Sequence, residues 1–402
     1  MPKRLFMKKI LLFGAGKIGR SFVAQLFSRG GYEVVFVDIN QKLVDLLNSN
    51  KEYKVIVKGK NEYSIPVNNY RAIHFSEKDK LLKEFSETPL IATSVGLNNL
   101  PDLYPLFAEA LVFRYKKTPF APVDFIIAEN VRHADKLFEQ NLKTYLPENY
   151  PFEKLVGLVE TSIGKMVPIM TQKDLKEDPL RIFAEEYNTL PLAAKGFKNH
   201  LPEVSGLKYI TNIQAWVDRK SLIHNLGHAA AVYFGYLEEP EEKLLWKVLA
   251  NKTVLEKTRA TMLQSANILL HKYPYNFTIN VLEEHVDDLL RRFQNKALGD
   301  SVFRVGCDLY RKLRKDDRLS GAIKLATILG QPYNLILEAL VAGFYFRATD
   351  ENNLLFPKDK LFSEELNQIG FEKMFVEVTG FTEIYHPQIL KQAFHLLNRV
   401  TQ

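Results

Sequence analysis

From Lys8 to about Leu190, short apolar runs alternate with stretches whose apolar residues recur at helical spacing. Such alternation predicts a mainly parallel sheet covered by helices on both faces. Five runs read as strands, at residues 9–13, 33–38, 90–94, 123–128 and 155–160, and residues 53–65 alternate valine, isoleucine and tyrosine with polar residues as an added hairpin would. After about Phe197 the strand signal fades and long amphipathic stretches take over, at residues 241–270, 281–298, 321–329, 335–348 and 387–398. The expected architecture is α/β, with a Rossmann-type doubly wound sheet over residues 1–195 followed by a mainly α-helical domain over residues 196–402. No internal repeat or low-complexity linker interrupts the chain.

The 402 residues suffice for two domains with buried cores. A single cysteine, Cys307, excludes an intrachain disulfide and points to a reducing cytoplasm. Lys3, Arg4, Lys8 and Lys9 ahead of Ile10-Leu-Leu-Phe13 give the start a superficial likeness to a signal peptide. The apolar run is too short for one, however, and leads directly into a glycine loop, so a first strand is the better reading. No apolar stretch approaches the roughly 20 residues of a membrane-spanning helix. The formal charge of +7 is spread along the chain, which favours a small anionic substrate over nucleic acid or membrane as partner.

Gly14-Ala-Gly16-Lys17-Ile18-Gly19 follows the first predicted strand and opens a helix through about Arg29, the context in which G-x-G-x-x-G indicates a dinucleotide site. Gly14 permits the tight turn, Gly16 lets the backbone approach a pyrophosphate, and Gly19 lets helix and strand pack closely. Asp38 ends the second strand, where a carboxylate accepts ribose hydroxyls and repels a 2′-phosphate, favouring NAD over NADP. A flavin is left open by these residues alone. Thr93-Ser94-Val95-Gly96 and Ala128-Glu-Asn130 end later strands, at the edge that lines the crevice of a doubly wound sheet. Ser94 and Val95 are therefore expected at the cofactor. Asn130 is either a contact to nicotinamide or substrate, or a turn-forming residue closing its strand.

The run Lys220-Ser-Leu-Ile-His224-Asn225-Leu-Gly-His228 is expected to open the first long helix of the second half. At about 100° per residue, Lys220, His224, Asn225 and His228 fall within an arc of roughly 140°, with Leu222, Ile223 and Leu226 opposite. An amine, a carboxamide and an imidazole on one face suit directed hydrogen bonds in a pocket, or else a buried polar network without chemistry. His224 and His228 also form an H-x-x-x-H pair, but no third ligand stands at recognisable spacing, so no metal is expected.

Taken together, these residues resemble the polyol-specific long-chain dehydrogenases, the mannitol dehydrogenase family. The likeness lies in Phe13 to Gly19, Phe36-Val-Asp38, Thr93 to Gly96, Ala128-Glu-Asn130 and, above all, Lys220-x-x-x-x-Asn225-x-x-His228. Further on, Arg304 to Leu319 looks like the phosphate-specific branch, and Asn334-Leu-Ile-Leu-Glu338 fits its C-terminal part. The resemblance covers nearly the whole chain and implies a zinc-independent, NAD-dependent enzyme, monomeric or weakly dimeric. It makes Lys220 the general base, Asn225 and Asn130 donors to the reacting oxygen, and His228 the group that positions a neighbouring substrate hydroxyl. Arg304, Arg311, Lys312 and Arg318 become candidates for holding a substrate phosphate. The implied reaction interconverts a hexitol phosphate, mannitol 1-phosphate, and its ketose phosphate, fructose 6-phosphate. An unphosphorylated polyol or a hexuronate is the alternative substrate, and an NAD(H)-sensing binding protein the non-enzymatic alternative. Two departures bear on the substrate. Ile163-Gly164-Lys165 stands where relatives show Val-Asp-Arg, and Cys307 stands where the phosphate branch shows arginine.

Overall fold

A computed structural model describes residues 8–400, apart from Lys60 and Ile169. Lys3 and Arg4 lie outside the described residues. The chain divides into two compact units, at Val217 and Asp218.

In the first unit, β1 (Lys9–Phe13), β2 (Glu33–Asp38), β3 (Tyr53–Val57), β4 (Tyr63–Val67), β5 (Tyr70–His74), β6 (Leu90–Thr93), β7 (Val123–Ile127) and β8 (Val156–Glu160) are followed by β9 (Ile182–Ala184), β10 (Leu190–Ala193) and β11 (Leu207–Ile210). Six of them form the main sheet in the order β5-β2-β1-β6-β7-β8, and every pair is parallel. A parallel sheet with helices on both faces buries its strands on both sides, which is why these segments read as continuous apolar runs. Side chains still alternate between faces. Ile10, Leu12, Val34 and Phe36 enter one core, whereas Leu11, Phe13, Val35 and Val37 enter the other. The second core is rich in phenylalanine, with the Phe13 and Phe107 rings edge to face at 4.8 Å.

The expected hairpin forms as antiparallel β3 and β4, with β9 alongside β3. The sequence reading lacked β5, β9, β10 and β11. Edge strand β5 buries only Ala72 and Ile73 fully, so it carries no continuous apolar run. The remaining three are three or four residues long. The division at Val217 lies beyond the composition shift at residues 195/196. Between the two points, β11 pairs with β10, and Phe197, Val204, Leu207 and Tyr209 pack against the core of the first unit.

The second unit is helical. The stretch at residues 241–270 resolves into Leu245–Val248 and Lys252–Lys272, separated where Asn251 caps the second helix by accepting from the Thr253 N–H at 3.0 Å. Residues 281–298 become Ile279–Phe293, capped by Thr278, and a short turn. The helices Val302–Gly306, Leu309–Leu313, Pro357–Ile369 and Phe371–Thr379 were not foreseen. For Leu309–Leu313 the reason is tertiary. Its first backbone N–H groups, those of Asp308 and Leu309, donate to the Asp359 carboxylate at 2.9 and 2.8 Å, about fifty positions along the chain. The Lys220 segment does not open its helix as expected. Ile213–Arg219 is already α-helical, Lys220–Asn225 is π-helical, and Leu226–Glu238 resumes the α-helix. Among the described residues no helix is long and apolar enough to cross a membrane.

At the amino end of the main sheet, the buried Arg114 guanidinium donates to the carbonyls of Phe85, Ser86, Thr88, Ala121 and Pro122. It thereby satisfies two loops that no strand pairs. Arg114→Met keeps the stem and strands those acceptors, so it is expected to cost about 3 kcal/mol or more. Urea unfolding measures this; a loss under about 1 kcal/mol would show that water replaces the guanidinium.

Candidate functional site

In the first unit the glycine loop leaves β1 under constraints that separate its three glycines. Gly14 has φ +95°, donates its N–H to the Val37 carbonyl at 2.8 Å, and a Cβ there would lie 2.5 Å from the Ser94 carbonyl oxygen. A Cβ on Gly19 would lie 2.0 Å from the Gly14 oxygen. Both are glycine because the chain packs against itself. Gly16 is different, since a Cβ there would meet nothing within 4 Å. Its small size has no explanation inside the protein and matches the space a pyrophosphate needs at a helix start. Lys17 beside it is exposed, and Ile18 packs against the core.

Charged side chains hold this loop from two directions. The Asp38 carboxylate accepts from the Ala15 N–H at 2.8 Å and from the Asn40 N–H at 2.9 Å. Arg20 donates to the Ala15 carbonyl at 2.8 Å and to the Leu180 carbonyl at 2.6 Å. A carboxylate has about four lone-pair sites, so Asp38 retains capacity for a ribose hydroxyl. The Ser94 N–H donates to the Phe13 carbonyl at 2.8 Å and its hydroxyl to Gly14 at 3.1 Å, which fixes the neighbouring loop. The N–H groups of Val95 and Gly96 donate to the buried Glu129 carboxylate at 2.8 and 2.9 Å. Burial pushes the Glu129 carboxyl up against those two bonds. Sequence reasoning quoted Glu129 only as part of a motif; its task is to shape the loop that carries Ser94 and Val95. Asn130 follows, exposed at the carboxyl edge of β7.

Lys165 has a role within the fold. Its buried ammonium donates to the carbonyls of Glu185 and Tyr187 at 3.1 and 2.7 Å and to the Asn188 side chain at 3.0 Å. That accounts for a cation at this position without a substrate.

In the second unit the π-helical turn gathers the chemistry. Burial, aided by the Arg318 charge, lowers Lys220 to about 7, against the opposing pull of Asp317. His224 and His228 are held well below the usual imidazole range, first by burial and then by surrounding cations. Both are therefore neutral. The His228 ring stacks on Phe293 at 3.8 Å, and its Nε2 is a buried atom without a hydrogen-bond partner in the chain. Arg318, nearly buried, donates to the Asp317 carboxylate at 2.7 Å and reaches the Asn225 carbonyl at 3.4 Å.

All four residues proposed for a phosphate act electrostatically on this turn. Arg304, Arg318 and Lys312 depress His228, and Arg318 and Arg311 depress Lys220. Each also has a partner in the chain. Arg304, exposed, is paired with the buried Asp300, and Arg311, exposed, with the half-buried Asp308. Lys312 is interior, donates to the Val305 carbonyl at 2.6 Å, and is lowered to about 7 by burial. Arg292, His285 and Phe293 were missed. All three stand on Ile279–Phe293, and Arg292 acts on all three histidines of the group. In the sequence, an arginine in a last helical turn is indistinguishable from an ordinary charged helix end. Among the described residues no three His, Cys, Asp or Glu side chains gather as a metal site.

Two family models match, one described as the mannitol dehydrogenase Rossmann domain over residues 8–206 and one as the mannitol dehydrogenase C-terminal domain over residues 212–402. A mannitol-1-phosphate 5-dehydrogenase of Thermoanaerobacter pseudethanolicus is 30% identical over 94% of this chain and 94% of its own length. One of Halalkalibacterium halodurans is 28% identical over 95% and 98%. Among solved structures, a D-sorbitol dehydrogenase in substrate-free form aligns with TM-score 0.82 at 16% identity, covering 98% of this chain and 94% of its own. Pseudomonas fluorescens mannitol 2-dehydrogenase, in a ternary complex with NAD and D-mannitol, aligns with TM-score 0.75 at 14% identity, covering 98% and 92%.

The glycine contrast is testable. Gly16→Ala should leave stability within about 0.5 kcal/mol of the parent, whereas Gly19→Ala should lose about 2 kcal/mol or more by overpacking. Chemical denaturation of both variants decides it; equal losses would remove the distinction.

Proposed function

The chain belongs to the mannitol dehydrogenase family, and from that premise we propose that it is an NAD-dependent dehydrogenase interconverting mannitol 1-phosphate and fructose 6-phosphate. The observation that carries this reading is Lys220, a lysine whose environment lowers it to about 7, on the same turn as Asn225 and just ahead of His228 in the helix that follows. An ordinary lysine, near 10.4, is a poor base at neutral pH.

Gly14, Gly16 and Gly19, with Lys17 and Ile18 between them, would hold the dinucleotide, with Asp38 on its ribose and Ser94 and Val95 along its path. The open space at Gly16 and the spare acceptor capacity of Asp38 fit such a group. When bound, NAD supplies the hydride acceptor for the alcohol carbon. Lys220, as the free amine, takes the hydroxyl proton during oxidation and returns it during reduction. Asn225 donates to the oxygen as charge develops on it, where a fixed dipole lowers the barrier most. The unpartnered Nε2 of neutral His228 is suited to an adjacent substrate hydroxyl. Asn130 is the corresponding proposal in the first unit, for the nicotinamide or the reacting oxygen. A phosphate would draw on the basic set around His228, with the exposed guanidiniums of Arg304 and Arg311 turned to the ester. Arg318 and Lys312 would supply interior positive charge.

Lys220→Ala should lower kcat by at least about a hundredfold with NADH binding retained; a folded variant with near-normal turnover refutes the base. Because oxidation needs the free amine, its kcat/KM should rise as pH rises through about 7, and reduction, which needs the ammonium, should fall over the same interval.

Asp38→Ser should weaken NADH and narrow its preference over NADPH, read by fluorescence titration. Equal use of both cofactors by the parent enzyme would overturn the assignment to NAD. For the substrate, fructose 6-phosphate should be preferred to fructose by orders of magnitude in kcat/KM. Alanine at Arg304 or Arg311 should reduce activity about tenfold to a hundredfold more on the phosphate ester than on fructose. Equal rates on the two ketoses, or activity confined to a hexuronate, would exclude the phosphate reading and leave the dehydrogenase intact.

A further inference from the structure

The turn that carries Lys220 departs from α-helical hydrogen bonding, and the departure leaves one carbonyl behind. In an unbroken α-helix the Leu226 N–H would donate to the Leu222 carbonyl, four residues earlier. Here it donates to the carbonyls on either side, those of Ser221 and Ile223. Leu222 is only 2% exposed, so its skipped carbonyl is shielded from solvent, and buried acceptors are almost always paired. The donor is the hydroxyl of Ser265, at 2.5 Å. Ser265 is itself fully buried, on the neighbouring helix Lys252–Lys272.

The same neighbour grips the helix just before the turn. The buried Asp218 carboxylate accepts from Lys272 and from the Tyr273 hydroxyl, each at 2.7 Å. Asp218 is thus tethered two residues ahead of the π-helical turn, and Ser265 caps the carbonyl that the turn leaves over.

The register matters to the chemistry. In an α-helix five residues advance by about 500°, which leaves positions 220 and 225 roughly 140° apart. Where hydrogen bonds run from i to i+5, positions five apart stand one turn above each other. Arg318 attends both ends of this pair, reaching the Asn225 carbonyl and acting on Lys220.

We propose that Ser265 is a positioning residue for the reaction, whose hydrogen bond to the Leu222 carbonyl holds the π-helical register that brings Lys220 and Asn225 onto one face. The proposal rests on Lys220 being the general base. Without the hydroxyl, the turn recovers an α-helical bond to Leu222 by rotating one of the two residues away from the other. Small displacements of reacting groups cost on the order of a hundredfold in rate.

The test uses three variants of the full chain. Ser265→Ala should lower kcat for polyol oxidation by about tenfold to a hundredfold, with KM and NADH binding little changed. The charged and titratable groups acting on Lys220 include Arg318, Asp317 and Arg311, with His224 coupled to it on the same turn. Rotation away from Arg318 returns Lys220 toward the ordinary lysine range, so the limb of the oxidation profile near pH 7 should move upward. Ser265→Thr and Ser265→Val add the same bulk and differ only in the hydroxyl, so Thr should retain most of the activity that Val loses. This pair decides the matter even if the alanine variant folds poorly. Parental kcat and pH limb in Ser265→Ala, or equal impairment in Thr and Val, overturns the proposal. An inactive Lys220→Ala beside a normal Ser265→Ala removes this inference alone, whereas an active Lys220→Ala removes the functional reading beneath it.

Discussion

The proposed chemistry of the second unit turns on one constraint: a lysine that is to work as a base near neutral pH must be kept from water. Desolvation is the leading reason Lys220 is lowered, and it obliges the surroundings to be both dry and positively inclined. A nearby unpaired carboxylate would undo the effect by stabilising the ammonium. The one acidic group that acts strongly on Lys220, Asp317, is drawn off by Arg318, whose guanidinium and backbone N–H both donate to it. The histidines follow the same logic. In a dry, cationic surround an imidazolium is disfavoured, so His224, His228 and His285 stay neutral. A neutral imidazole can accept from a substrate hydroxyl as well as donate to one, whereas an imidazolium can only donate.

How much of this was legible in the sequence depended on the range of the interaction involved. The glycine loop, Asp38 and the central strands could be read because their causes are local: a run buried on both faces, a turn requiring positive φ, a carboxylate ending a strand. The helix carrying Lys220 was legible as a polar face, but neither its start nor its π-helical turn was. The partners that touch the turn and the residue before it, Ser265 on the Leu222 carbonyl and Lys272 and Tyr273 on Asp218, lie some forty to fifty-five positions away. Leu309–Leu313 was missed for the same reason, since its cap is Asp359. Strand β5 was missed because an edge strand with two fully buried residues offers almost no apolar period.

Residues that look alike in a motif prove to have different work. Gly14 and Gly19 answer to the chain's own backbone, whereas nothing in the chain crowds Gly16. On the proposed reading Asp38 has work of both kinds, since it ties Ala15 to the end of β2 whether or not a ribose is present. Its substitution therefore disturbs the loop as well as the cofactor contact, and loss of NADH affinity alone would not identify a ribose bond. The change in discrimination against the 2′-phosphate is the sharper readout, because repulsion requires the charge while the tether requires only an acceptor.

The basic residues of the second unit pose the corresponding question for the substrate. Arg318 and Lys312 are committed to interior partners and depress their neighbours by charge alone, so removing either would alter Lys220 or His228 as well as any anion contact. Arg304 is paired with the buried Asp300 carboxylate and Arg311 with the half-buried Asp308, while both guanidiniums are themselves exposed. Under the phosphate reading, an ester with more charge and three acceptor oxygens competes with Asp308 on favourable terms, whereas drawing Arg304 away would leave the buried Asp300 charge uncompensated. Cys307, between these two arginines in sequence, cannot add a guanidinium where the phosphate branch has one. Its thiol is raised by burial and so stays uncharged. On the phosphate reading, the exposed positive charge beside Cys307 is that of Arg304 and Arg311, and because Arg304 acts on His228 and Arg311 on Lys220, recognition of the ester is read from the change in preference between phosphorylated and unphosphorylated ketose rather than from rate alone.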